Sequence, residues 1–184
     1  VMKYLSGYIK SLTDTLDLLD LSQVDQVIRL LSETREAGNQ IFLCGNGGSA
    51  STASHMANDL GKGASVGSEK RFKAISLTDN TSWMTALSND ISYESVFAEQ
   101  LKNFGQLGDV LIAISGSGNS QNVINAVQAA QERHMKTIGF IGFGGGKLAS
   151  IVDIPIVVES NHMGRVEDMH VILMHLICYY FMDE

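Results

Sequence analysis

The chain contains a single proline, Pro155, and only two cysteines, Cys44 and Cys178, in 184 residues. So little proline leaves long stretches free to run as helices and strands without interruption. Two thiols, each inside an apolar run, do not make a disulfide scaffold in a chain of this size, and they fit a reducing compartment. Cations are scarce as well: 13 lysines and arginines stand against 20 acidic residues, for a formal net charge of −7. A general nucleic-acid binder needs a basic face, so no direct nucleic-acid contact is expected. The deficit leaves room for a phosphorylated ligand, because backbone N–H groups and helix N-termini hold phosphate without lysine. Long hydrophobic runs are also missing. The longest, Val171 to Met182, is interrupted by His175 and too short to span a bilayer, so no membrane partner is expected. The opening residues carry no apolar segment followed by a small-residue cleavage site, and the expectation is a cytoplasmic protein.

What is present is apolar and patterned. Hydrophobic residues make up 45% of the chain and charged ones 18%, the balance of a globular protein, and the expectation is one domain over 1–184. The first forty residues read as two helices. Leu5, Ile9, Leu12, Leu16 and Leu19 form a narrow seam, suited equally to core packing and to an oligomer contact. Ser22 is a candidate cap for the second helix, whose apolar face is Val24, Val27, Ile28 and Leu31 and whose end falls near Gly38. Residues 1–38 are thus expected to form an added helical, oligomer-forming segment.

After Gly38 the pattern changes to short apolar runs at Ile41–Cys44, Lys73–Leu77, Val110–Ile114, Thr137–Ile141 and Ile154–Val158. Each is separated from the next by a plausible helix, such as Ser49–Leu60 or Ser120–His134. Near-continuous apolar strands alternating with helices predict an α/β fold: a five-stranded parallel sheet covered on both faces, in three αβα layers. A last helix, roughly Gly164 to Met182, is apolar almost all round, which points to burial at a subunit interface.

Two strand ends carry loops suited to an anion. The first strand runs into Gly45-Asn46-Gly47-Gly48-Ser49-Ala50-Ser51, and the third into Ser115-Gly116-Ser117-Gly118-Asn119-Ser120. In open α/β sheets ligands sit at the carboxyl ends of strands, where the next helix presents unpaired N–H groups. Glycines let the backbone approach a ligand and the serines add hydroxyl donors. The first loop also fits a dinucleotide fingerprint, but no acidic residue stands about twenty positions on to meet a ribose, since Asp79 comes too late.

At these loops the sequence resembles the SIS (sugar isomerase) domain family, and within it the phosphoheptose isomerase branch. The matching residues are Cys44 to Ala50 with His55, then Ser88-Asn89-Asp90, Gly108-Asp109-Val110-Leu111, Ser115 to Ser120, and Arg165 to His170 with His175. The resemblance extends over nearly the whole chain, and the ordered combination is more specific than any one piece. It implies that Ser49, Ser115, Ser117 and Ser120, with Gly116 between them, hold a sugar phosphate, and that Asn46, Gly47, Gly48, Asn89 and Asp90 line the sugar. It further implies a homotetramer with active sites at subunit boundaries, a zinc ion in several members, and conversion of sedoheptulose 7-phosphate to a heptose 7-phosphate for surface polysaccharide.

His55 and Asp59, spaced i and i+4, share one helix face. Glu167 and His175 lie eight residues apart, about 80° around the last helix, and are expected to converge with them into a four-ligand metal site of mixed nitrogen and oxygen donors, zinc foremost. His134 and His162 read as hydrogen-bonded core residues, and His170 as support for the helix interface. Two positions depart from the family's usual pattern: Asp59 stands where glutamate is common, and Glu167 where glutamine is. A second carboxylate makes the ion less positive and less polarising, which favours another metal, another sugar, or a base role for Glu167. Isomerisation needs a base alpha to the carbonyl and an acid at the neighbouring oxygen, here Asp59 or Glu167 with His175. The alternatives are a non-catalytic partner of a replication initiator, a known branch of the same family, and an isomerase or sensor of a different phosphosugar.

Overall fold

The computed structural model describes residues 1–183. Two helices lead, α1 (Met2–Leu16) and α2 (Leu21–Ala37), and five strands follow: β1 (Gln40–Cys44), β2 (Lys73–Ser76), β3 (Val110–Ser115), β4 (Lys136–Ile141) and β5 (Ile154–Val157). Between them lie α3 (Gly48–Asn58), α4 (Thr81–Asp90), α5 (Ala98–Phe104) and α6 (Gln121–Glu132), and the chain closes on α7 (Met163–Asp183).

The sheet is parallel throughout, in the order β2-β1-β3-β4-β5. Side chains on a strand alternate between faces, and here the alternation divides the core in two. Ile41 and Leu43 of β1, with Val110, Ile112 and Ile114 of β3, join Val27, Met56, Leu173 and Ile177 from α2, α3 and α7. Phe42 and Cys44, with Leu111 and Ala113, face the opposite way, toward Phe97, Leu101, Val123 and Val127 of the α5–α6 side. Both sheet faces are covered, which is the three-layer arrangement expected. Burial pushes the Cys44 thiol up to about 12, and it pushes Cys178 to about 12 with help from the Asp59 carboxylate. Both cysteines are free and buried.

The strand order matters for function. The chain leaves β1 toward the β2 edge and returns to place β3 on the other side of β1, with Cys44 in register with Ala113. The two Gly/Ser loops therefore emerge side by side at the switch point, where α/β folds bind ligands.

Several local expectations change. The cap of α2 is Asp20, not Ser22: the Asp20 carboxylate accepts hydrogen bonds from the Ser22 backbone N–H at 2.9 Å and its hydroxyl at 2.6 Å. A carboxylate two residues upstream competes better for these donors than the hydroxyl does. No α-helix separates β4 from β5. Two short 3-10 turns, Phe143–Gly145 and Leu148–Ser150, fill that crossover, because Gly144, Gly145 and Gly146 all adopt positive φ and interrupt helical winding. Beyond Asn58, α3 widens into a π-helical turn, Asp59–Gly63, closed by the Ala64 N–H donating to the Asp59 carbonyl at 2.8 Å. His134 and His162 are exposed and not in the core; His134 sits at a φ of 56° just past α6. His170 is buried, against Phe140 of β4.

The α1 seam is only partly used within the subunit. Leu12 and Leu19 pack on the core, whereas Leu5 and Ile9 remain exposed. Within the subunit α7 is buried on one side, and Leu176, Tyr179 and Tyr180 on the other are exposed. Among the described residues no helix is long and apolar enough to cross a membrane.

Candidate active site

The β1–α3 loop is built around two glycines. A side chain on Gly45 would strike the Ser49 backbone at 2.8 Å, so the turn closes only without one. Gly47 takes a φ of 55°, which a side chain would resist. Ser49 is buried, and its N–H bonds back to the Asn46 carbonyl at 3.0 Å. In the second loop Ser115 is buried; its hydroxyl accepts from the Gly118 N–H and donates to the Ser120 hydroxyl, both at 3.2 Å. The Ser117 hydroxyl accepts from the Asn119 N–H. Ser117 and Ser120 are half-buried and Gly116 is buried beneath Met163 and Val166 at the start of α7. These internal bonds hold the serines of the loop in place before a ligand arrives. A side chain on Gly118 would meet the Gly145 carbonyl, which ties this loop to the glycine run after β4.

The helices α3 and α7 lie alongside one another, with matched contacts at two levels. At the loop end the Glu167 carboxylate rests on Gly48, where a β-carbon would come within 2.6 Å of Oε1. Farther along, the His55 and His175 rings meet edge to face at 5.1 Å. Seven residues of α3 and eight of α7 separate these levels, a rise of about 10–12 Å. The two helices thus run side by side from the loops to the histidines.

At the far end His55, Asp59 and His175 each offer a donor atom within 4.8 Å of the others. His55 Nε2 and Asp59 Oδ2 are 3.3 Å apart. Two ligands of one tetrahedral zinc at about 2 Å stand about 3.3 Å from each other, so this pair has the right separation, and the N, N, O donor set suits that ion. Glu167 is not in the group. The angular spacing that favoured convergence with His175 ignored the rise along α7, and its carboxylate lies at the Gly48 level instead. Asn89 and Asp90 end α4, exposed and bonded to each other at 2.8 Å.

Two residues not singled out in the sequence belong to the site. Asn122 on the first turn of α6 and Tyr93 in the 3-10 turn Tyr93–Ser95 both hydrogen-bond the side chain of Asn46. Asn122 follows the serine loop by two positions, a signal that was readable; Tyr93 carried none.

The SIS domain family model matches residues 4–142, most of the chain. The chain belongs to the SIS domain family. Among SIS relatives, a phosphoheptose isomerase of Helicobacter pylori (strain P12) is 40% identical over 178 residues, covering 97% of this chain and 92% of the relative. One of Akkermansia muciniphila is 36% identical over 182 residues, covering 96% and 94%. The solved structure of phosphoheptose isomerase GmhA from Neisseria gonorrhoeae superposes with a TM-score of 0.90 at 33% identity, covering 100% of this chain and 97% of that one.

Proposed function

We propose that this chain is a phosphosugar aldose–ketose isomerase of heptose biosynthesis, converting sedoheptulose 7-phosphate to D-glycero-D-manno-heptose 7-phosphate. The observation that carries the reading is the grouping of His55, Asp59 and His175 on the two helices, α3 and α7, whose starts adjoin the two Gly/Ser loops. The SIS relatives named phosphoheptose isomerase support it and favour catalysis over the binding-only alternative.

In this reading Ser49, Ser115, Ser117 and Ser120, with the amides of Gly116 and the α6 N-terminus, take the 7-phosphate. Gly47, Gly48, Asn89 and Asp90 line the polyol, with the one N–H that the Asn46 side chain has left, and C1 and C2 meet the histidines. Asp59 removes the proton from C1 of the ketose, since of the two carboxylates it is the one beside His175. His175 donates a proton to O2, giving the enediol, and takes the proton from O1 as C2 is reprotonated. The net change moves one hydrogen from C1 to C2 and one from O1 to O2. Each positioned proton transfer contributes typically about 10²–10⁴-fold. His55, Asp59 and His175 would hold a divalent ion, zinc by donor type. Such an ion, when bound, polarises the substrate oxygens. The assembly is a cytoplasmic homotetramer, supported by the exposed apolar residues of α1 and α7.

The test is incubation of purified, metal-analysed protein with sedoheptulose 7-phosphate and with five-carbon ketose phosphates, followed by NMR. Turnover is expected with the heptulose first. Asp59→Asn and His175→Ala should each lower kcat by about 100-fold or more. Wild-type turnover in both variants would end the catalytic assignment.

A further inference from the structure

Asn46 was expected to line the sugar, yet its side chain is largely occupied within the protein. Its Oδ1 accepts from Asn122 Nδ2 at 2.8 Å and from the Tyr93 hydroxyl at 2.8 Å. Its Nδ2 donates to Asn122 Oδ1 at 2.9 Å. A side-chain amide has two acceptor sites on oxygen and two hydrogens on nitrogen. The Asn46 oxygen is therefore saturated and a single N–H is left for any ligand. Asn122 is committed to the same degree: its Oδ1 also accepts from the Val123 N–H at 3.0 Å, and the residue is 3% exposed. A reciprocal amide pair with a phenol on its third side is a directional network with both oxygens saturated, the kind that fixes geometry.

The three partners come from three separate walls of the site. Asn46 lies in the β1–α3 loop, Asn122 opens α6 directly behind the serine loop, and Tyr93 begins the turn that follows Asn89 and Asp90. The Asn125 side chain adds a second tie between α6 and that turn, donating to the Glu94 carbonyl at 3.0 Å. We infer that Asn46, Asn122 and Tyr93 act as a clamp that sets the spacing between the phosphate-holding loop and the loop leading into α3, and so aligns the sugar with Asp59 and His175. All three are positioning residues. The inference rests on the isomerase reading above, because what the clamp aligns is the reacting carbons against the acid–base group. A displacement of about 1 Å in such an alignment costs about 10²-fold in rate, whereas a phosphate keeps its contacts with Ser115–Ser120 and loses at most that with Ser49.

The experiment compares wild type, Tyr93→Phe, Asn46→Ala, Asn122→Ala and Asn46→Ala/Asn122→Ala. The clamp predicts that kcat falls by about 10- to 100-fold in Asn122→Ala and less in Tyr93→Phe, while the dissociation constant for inorganic phosphate rises by a much smaller factor. The double variant should be no slower than Asn46→Ala, since that substitution alone removes both the amide pair and the Tyr93 bond. Backbone NMR gives a readout free of turnover. Adding inorganic phosphate to the wild type should shift the amides of Gly45–Ser51 together with those of Ser115–Ser120, and in Asn122→Ala only the second set. Unchanged kcat, a parallel loss of phosphate affinity, additive losses, or coupled shifts surviving in Asn122→Ala would each overturn the clamp. A wild type that turns over no phosphosugar would instead overturn the isomerase reading, and the amide shifts would still decide the clamp.

Discussion

His170 lies between α7 and the sheet at 1% exposure, and neither ring nitrogen has a hydrogen-bond partner. Burial lowers its pKa from the ordinary 6.5 to about 4; the Ile141 carbonyl opposes the shift without reaching a bond of good geometry. The folded state thus keeps this imidazole neutral, while the unfolded chain takes up a proton below about 6.5. Its contribution to stability is complete above that pH and is lost as pH falls toward 4. Between pH 7 and 4.5 the loss amounts to roughly 2–3 kcal/mol. Urea unfolding at both pH values should show a smaller drop for His170→Leu than for wild type, and an equal drop would refute the account. That a histidine stood on α7 was plain from the sequence. That it has no partner was not, because burial of this kind depends on which strand lies beneath, and Phe140 is thirty residues away in the chain.

At the level of elements, strands were the most legible part, since runs such as Val110–Ile114 are apolar on both faces and bounded by glycine and serine. Ends and crossovers were not. The π turn at Asp59–Gly63 continues an ordinary helical pattern, and the sequence gives no sign that the ring closes one residue late. The missing helix between β4 and β5 was hidden by a segment long enough to hold one. For α1 the seam was correctly seen as apolar, but its partner was left open. In the structure Ile9 is 65% exposed and Leu5 46%. A charge at Ile9 touches little inside the subunit and should act between subunits. Ile9→Asp is expected to lower the molar mass seen by light scattering while shifting the subunit's melting temperature little. An unchanged mass would show that α1 takes no part in assembly.

Across the whole molecule, both loops could be read in the sequence and their adjacency could not. Nothing in the linear pattern says that β3 returns to the flank of β1, and this return is what brings Asn46 to Asn122. The convergence of His55 with His175 likewise depends on α3 and α7 packing side by side over one sheet face. The same packing gives His175 two sets of neighbours. Inward are His55 and Asp59; outward, within one turn, are Ile172, Leu176 and Tyr179, lining an open apolar hollow of about 640 Å³. The proton-transfer group and an uncovered apolar strip are thus built from the same stretch of helix. If the strip is where subunits join, separating them by dilution also wets the imidazole. Specific activity should then decline at low protein concentration and return on reconcentration, whereas a rate strictly proportional to enzyme down to nanomolar levels would mean that each subunit works alone.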